Sequence, residues 1–206
     1  MDEENHSEDT LFGRIRSTVG RFFGNGVCPY EFSFTLMNPF RRFILSPSEL
    51  LDRLQLAKDF CVLELGPGPG YFSPEVAKAL TEGHLLLVDI QKEMLERNRK
   101  RLQKQSIANA ASIHGDGCSL PIGSDTCDVA FLVAVLGEVP QPRLCIREMG
   151  RVLRNGGLLS ITEQPGDPDH LSIDTVCNLV ESEGFTVLES LGKDKNFTVN
   201  FRLTSI

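Results

Sequence analysis

The stretch Phe60-Cys61-Val62-Leu63-Glu64-Leu65-Gly66-Pro67-Gly68-Pro69-Gly70 decides the fold. Its first six residues are a short apolar run, and glycines at alternate positions then end it. Glycine lets the backbone turn sharply and come close to a ligand. Residues 74–80 read as a helix stopped near Gly83, and the first turn of such a helix offers free N–H groups. A strand, a glycine turn and a helix in that order open an alternating α/β unit.

The alternation continues downstream. Residues 84–90 read as a strand, 92–105 as a strongly charged helix, and 111–114 as a weaker strand. Residues 128–135 are apolar beyond the first, as expected of a strand buried on both faces of a parallel sheet. A helix over 142–153 ends at Asn155-Gly156-Gly157, a strand spans 158–163, and a helix over 171–183 precedes Gly184. Residues 185–191 and 197–203 are strands joined by Gly192-Lys193-Asp194-Lys195-Asn196. That connection is too short for a parallel crossover, so the last two strands pair as an antiparallel hairpin. The expected class is α/β: a Rossmann-like, doubly wound, seven-stranded and mostly parallel sheet ending in that hairpin.

The front of the chain has another character. Residues 1–9 carry Asp2, Glu3, Glu4, Glu8 and Asp9 with little apolar content, the composition of a disordered acidic tail. Leu11, Ile15, Val19 and Phe22 then recur at helical spacing, with Arg14, Arg16 and Arg21 between them. This basic amphipathic helix over 10–24 reads as packing on its own domain, with contact to a membrane surface as the weaker alternative. Residues 30–54 read as two helical pieces. The second starts at Ser46-Pro47-Ser48-Glu49, with Ser46 as cap, Pro47 in the first turn and Glu49 completing a capping box. The expected division is a tail over 1–9, an N-terminal helical lid over 10–55 and a main domain over 56–206.

A net charge of -7 speaks against a protein that clamps a long nucleic acid through its phosphates. The six cysteines (28, 61, 118, 127, 145 and 177) are scattered with no CxxC pair, which argues against a disulfide framework or a structural metal site and for a reducing cytoplasm. No apolar run reaches the roughly 20 residues of a membrane span, and the acidic N-terminus is unlike a signal peptide. The oligomeric state stays open.

A nicotinamide-binding loop would read GxGxxG. Here the third glycine falls one place early and Glu64 precedes the first. Asp89, at the end of the second strand, lies about 20 residues beyond the loop, where a carboxylate can accept both hydroxyls of a ribose. It also precedes a helix and can cap it. Asp116, in Gly115-Asp116-Gly117 after the third strand, is by itself only a turn residue.

In order and spacing, Glu64-x-Gly66-x-Gly68-x-Gly70, Asp89, Asp116 and the terminal hairpin resemble the class I S-adenosylmethionine (SAM)-dependent methyltransferases. Leu120-Pro121-Ile122 through Ser124-Asp125 to Cys127-Asp128, and Arg151-Val152-Leu153-Arg154-Asn155-Gly156-Gly157, are similar to stretches of the type 11 group, which contains the ubiquinone/menaquinone C-methyltransferases. The resemblance runs from about Asp59 to Thr204. It implies SAM as cofactor. Glu64 would support the methionine end, the backbone of Gly66, Gly68 and Gly70 would pass beside the ligand, and Asp89 would hold the ribose. Ile90 would flank the adenine, Asp116 and Gly117 would bind it, and Leu132, Val133 and Ala134 would lie beside the cofactor at the end of the fourth strand.

Val27-Cys28-Pro29-Tyr30, Asn38-Pro39-Phe40-Arg41-Arg42 and Gly137-Glu138-Val139-Pro140 further resemble a little-characterised bacterial and archaeal subgroup, which usually carries His where this chain has Gly137. The acceptor expected from the resemblance is a small molecule. Glu138 and Glu163, after strands four and five, are the candidate catalytic acids, or else capping or ion-paired ones. Cys28, Tyr30, Asn38, Arg41 and Arg42 are the candidate substrate residues of the roof, although the two arginines suit a solvated helix face equally well. A SAM-binding scaffold that docks a partner through its N-terminal helices is the alternative.

Overall fold

The computed structural model describes residues 45–165 and 169–204. The acidic tail, the helix over 10–24, the first helical piece of 30–54, and Cys28, Tyr30, Asn38, Arg41 and Arg42 lie outside the described residues. In chain order the described elements are α1 (Pro47–Leu54), β1 (Cys61–Leu65), α2 (Ser73–Ala79), β2 (His84–Asp89), α3 (Lys92–Lys104), β3 (Ala110–His114), β4 (Cys127–Val133), α4 (Pro142–Val152), β5 (Leu153–Glu163), α5 (Ile173–Glu181), β6 (Phe185–Lys193) and β7 (Asn196–Leu203). They build a seven-stranded sheet in the order β3-β2-β1-β4-β5-β7-β6. β1 to β5 run parallel, and β7 pairs antiparallel with both β5 and β6. This is the expected doubly wound sheet, with β7 inserted between β5 and the edge strand β6.

Successive side chains of a strand point to opposite faces, so each strand feeds two layers. On one face Leu63, Leu65, Ala130, Leu132, Leu159 and Ile161 pack with Ile146 and Met149 of α4 and Val176 and Val180 of α5. On the other, Val62, Leu85, Leu87, Val129 and Phe131 pack with Leu50 and Leu54 of α1, Val76 of α2 and Leu95 and Leu102 of α3. Among the described residues no helix is long and apolar enough to cross a membrane.

Two boundaries differ from the expectation. β5 begins at Leu153, directly after α4, because Leu153 pairs with Cys127 before an irregularity between Cys127 and Val129. The glycines at 156 and 157 therefore lie within the strand. The terminal turn is also shorter, since Lys193 already pairs with Asn196 and Gly192 with Phe197.

α1 starts as expected, Ser46 Oγ accepting from Glu49 N at 3.2 Å with Pro47 in the first turn. The Glu49 carboxylate pairs with Arg53, one turn on. Arg53 joins α1 to the polar strip of the sheet. Its Nη1 donates to Thr198 Oγ1 at 2.6 Å, and the Thr198 hydroxyl shares a 2.7 Å bond with Thr162 Oγ1. The Arg53 side chain is only 11% exposed and Thr198 is buried, so water cannot replace these partners. Leaving such groups unpaired costs about 1–3 kcal/mol. Thr198→Val, which keeps the shape and removes the hydroxyl, is expected to lower stability by that amount, read as a lower urea midpoint with an unchanged slope.

Candidate cofactor site

Because β1, β2, β4 and β5 run parallel, Leu65, Asp89, Val133 and Glu163 end at the same edge of the sheet. Ligands of open α/β sheets bind beyond such ends. The loop leaving β1 is built of left-handed turns, with φ of +64° at Gly66, +54° at Gly68 and +82° at Gly70. Space also demands glycine. A Cβ on Gly66 would lie 2.6 Å from Val135 Cγ2, and one on Gly70 would lie 2.5 Å from Asn98 Oδ1.

The loop is tied to β2 twice. Gly66 N donates to Val88 O at 2.8 Å, and Gly68 N donates to Asp89 Oδ2 at 3.1 Å. Asp89 Oδ1 accepts from Gln91 N at 2.8 Å. Asp89 therefore does bond locally ahead of α3, but it also reaches across to the loop, so capping is not its only contact. Burial raises its pKa, against the pull of the Gln91 and Gly68 N–H groups and of His114. Beside this buried acid, Ile90 is 53% exposed, an apolar platform at the strand end.

Glu64 is 3% exposed. Its neighbours in register are Leu87 on β2 and Phe131 on β4, both buried apolar side chains. Ser73 Oγ, at the start of α2, donates to Glu64 Oε2 at 2.7 Å, and Asn98 Nδ2 of α3 donates to Ser73 Oγ at 2.9 Å. Burial pushes the Glu64 carboxyl up to about 8, the Ser73 bond opposing and the nearby Asp89 adding to the rise.

Asp116 is exposed, and its Oδ1 accepts from Cys118 N at 2.9 Å while Ser119 N donates to its carbonyl at 3.0 Å. The turn it makes is anchored beside the site, since Gly115 N donates to Asp89 O at 3.2 Å. A Cβ on Gly117 would sit 3.0 Å from Leu65 Cδ2, so this turn folds back over the end of β1.

At the end of β4, Leu132 turns its side chain into the apolar layer, whereas Val133 and Ala134 are half-buried. Ala134 holds φ +54°, a left-handed conformation uncommon outside glycine, and its N–H donates to Thr162 O at 2.8 Å. Glu138 closes the 3₁₀ turn Leu136–Glu138 and is half-buried, while Glu163 is fully buried. The structure thus brings Glu64, the loop, Asp89, Ile90 and the Asp116 turn together, and sets Glu163 beneath the surface.

Ser73 and Asn98 were not legible as site residues. The signal for Asn98 was its place on the buried stripe Met94, Leu95, Asn98, Leu102 of an otherwise charged helix. A polar residue in that slot needs a partner in the interior.

Three acids, Glu64, Asp89 and Asp116, meet at this edge, and no lysine or arginine side chain hydrogen-bonds to any of them among the described residues. That donor set fits a ligand with a ribose and positive charge, as SAM has, and opposes a pyrophosphate. Among the described residues no cluster of three or more His, Cys, Asp or Glu could hold a metal. A groove of about 550 Å³ lies outside this edge, between α3 and β3, lined by Lys92, Arg99, Ile107, Ala110 and His114 among others.

The family described as "Methyltransferase domain" matches residues 63–161. A protein-L-isoaspartate O-methyltransferase of Bradyrhizobium sp. is 35% identical over 95 residues, 46% of this chain and 43% of that protein. A ubiquinone/menaquinone biosynthesis C-methyltransferase of Ruegeria sp. is 29% identical over 133 residues, 64% of this chain and 52% of that protein. The chain spans about half the length of these curated relatives. A crystal structure of a SAM-dependent methyltransferase from Aquifex aeolicus has the same fold, with a TM-score of 0.80 at 21% identity over 86% of this chain and 100% of that one. Over β1 to β5 the chain is thus similar to methyltransferase domains, and its sheet is that of a SAM-dependent methyltransferase structure.

Proposed function

We propose that the chain moves a methyl group from SAM to a small-molecule acceptor by in-line displacement. The observation that carries this reading is the glycine loop bonded to the Asp89 carboxylate, with the exposed Ile90 next to it. Bound there, SAM supplies an electrophilic methyl group on a sulfonium.

The remaining work falls to the chain's own residues. Asp89 keeps its carboxylate oriented through Gly68 N and Gln91 N, and each oxygen retains a lone pair for a ribose hydroxyl. Ile90 covers one face of the adenine and the Asp116–Gly117 turn meets its edge. Gly66, Gly68 and Gly70 let the backbone approach the amino-acid end, with Glu64 below. Val133 and Ala134 line the path to the acceptor. Holding donor and acceptor in line in a site that excludes water provides much of the acceleration expected of such a transfer. Glu138 is the candidate for a proton-accepting role, because it is half-buried where Glu163 is fully enclosed.

Residues 10–55 are proposed as the lid over the acceptor, with Cys28, Tyr30, Asn38, Arg41 and Arg42 as its contacts and 1–9 as a tail. The relatives named for ubiquinone and menaquinone biosynthesis support a small acceptor, and the free thiols of Cys61, Cys118, Cys127, Cys145 and Cys177 suit a cytoplasmic setting.

Calorimetry is expected to show SAM binding and no measurable NAD binding; tight NAD binding would overturn the assignment. Asp89→Ala is expected to weaken SAM binding at least about tenfold, since it removes a charge-assisted partner of the ribose and releases the loop. Gly66→Ala adds a clash to a left-handed φ and is expected to cost about 1–3 kcal/mol of stability and to abolish SAM binding. Formation of S-adenosylhomocysteine with any acceptor separates the enzyme from a silent scaffold.

A further inference from the structure

We propose that Cys61 and Cys127, which start β1 and β4, form a reactive dithiol that a peroxide oxidises to a cross-strand disulfide. Cys61 is the attacking thiol and Cys127 the resolving one. The pair lies at the opposite edge of the sheet from the glycine loop, so the inference stands apart from the SAM reading.

The two strands run parallel with Val62 opposite Val129, which sets Cys61 beside Asp128 and one step from Cys127. Cys61 N donates to Asp128 Oδ2 at 2.8 Å, so the two strand starts are in direct contact. With strands about 4.8 Å apart and a rise of about 3.3 Å per residue, the two Cα atoms lie about 6 Å apart. Disulfides bridge Cα separations of roughly 4.4–6.8 Å. Both side chains pack into the layer that faces α4 and α5, and both thiols are free. There the Cys127 thiol hydrogen-bonds to the Cys61 sulfur.

The pair is asymmetric. Cys127 is fully enclosed, whereas Cys61 is half-buried, so a small solute meets Cys61 first. Arg154 forms an ion pair with Asp128 at this edge and brings a cation near Cys61. The Cys127 hydrogen bond, helped by Arg154, brings the Cys61 thiol down to about 7 against burial and the Asp128 charge. The same hydrogen bond, together with burial, pushes Cys127 up. A partly exposed sulfur near a cation, with a protonated thiol against it, suits attack by the first and resolution by the second. Cys118 has a different setting, since its thiol donates to Gln141 O at 3.5 Å and burial raises it.

The Cys61 thiolate attacks one oxygen of the peroxide, the O–O bond breaks, hydroxide leaves, and Cys61 becomes a sulfenic acid. The Cys127 sulfur then attacks the Cys61 sulfur, and the S–O bond breaks. The sulfenic oxygen departs as water, carrying the Cys127 proton. The two thiols lose two electrons and two protons, and one hydrogen peroxide becomes two waters. The bond closes a loop that contains α2, β2, α3 and β3, and pins β1 to β4 at their starts.

The test treats the reduced full chain, freed of reductant, with hydrogen peroxide and maps its peptides by mass without reduction. Cleavage at aspartates is used, because Asp125 separates Cys127 from Cys118. The expected product is a disulfide joining Cys61 to Cys127, with two thiols lost for each peroxide consumed. Cys127→Ala is expected to stop at the sulfenic acid, trapped on Cys61 by dimedone, and Cys61→Ser to leave Cys127 a free thiol. Survival of both thiols, a disulfide from Cys61 to any other cysteine, or oxidation of Cys61 beyond the sulfenic acid with Cys127 still free would overturn the proposal. Should either variant not fold, the peptide map of the wild type decides alone.

Discussion

Between Val135 of the segment after β4 and Asn98 of α3, the chain leaving β1 has no room for a side chain at Gly66 or Gly70. It crosses that gap by left-handed turns, which only glycine adopts freely. Much else follows from this constraint. A loop so closely held can deliver Gly66 N to Val88 O and Gly68 N to Asp89, and these bonds fix where β2 ends relative to β1. With Asp89 turned inward to the loop, the next residue is turned outward, and Ile90 stands exposed beside a buried carboxylate. A bulkier residue in the loop would disturb the strand end and the platform together.

The same closeness sets the electrostatics. The loop and the α2 start exclude water from Glu64, and burial rather than any single neighbour dominates the rise of its pKa. Asp89 is raised for the same reason, although two backbone N–H groups offset part of the cost. Such an edge resists anions and favours a ligand that carries positive charge. A pyrophosphate at this loop would face the acids without a basic hydrogen-bond partner for them among the described residues, whereas a cationic ligand relieves the desolvation they carry. On the proposed reading, preference for SAM would come from desolvated acids as well as from glycine spacing.

These relations divide what the sequence displayed from what it hid. The apolar run at 60–65, the alternation of strands and helices, and the short final connection follow from local periodicity, and the sheet has that architecture. Gly66, Gly68, Gly70 and Asp89 could be read because their residue types answer local demands of turn and strand end. Asn98 could not, because its partner Ser73 lies 25 residues away in the chain and is met only when α3 packs beside α2. The burial of Glu163 was equally hidden, since it depends on β7 entering the sheet beside β5, where Phe197 pairs with Glu163. The start of β5 at Leu153 depends on its pairing with Cys127, which propensity at Asn155-Gly156-Gly157 does not reveal.

The acceptor side obeys a different logic from the donor side. Gly137 is not simply a missing imidazole. A Cβ there would come within 1.8 Å of Asp169 O, so the backbone after β5 occupies the place that a side chain would need. Backbone does not yield as the tip of a flexible side chain does, and restoring a histidine would require the whole connection to shift. Glu138, one residue on, is a half-buried acid beside that contact. On the proposed reading, an acceptor that must lose a proton would give it to Glu138 or to water, and an acceptor already ionised would need neither. On that reading, the acceptor side is shaped by a close backbone contact at Gly137 where the resembled subgroup usually carries histidine.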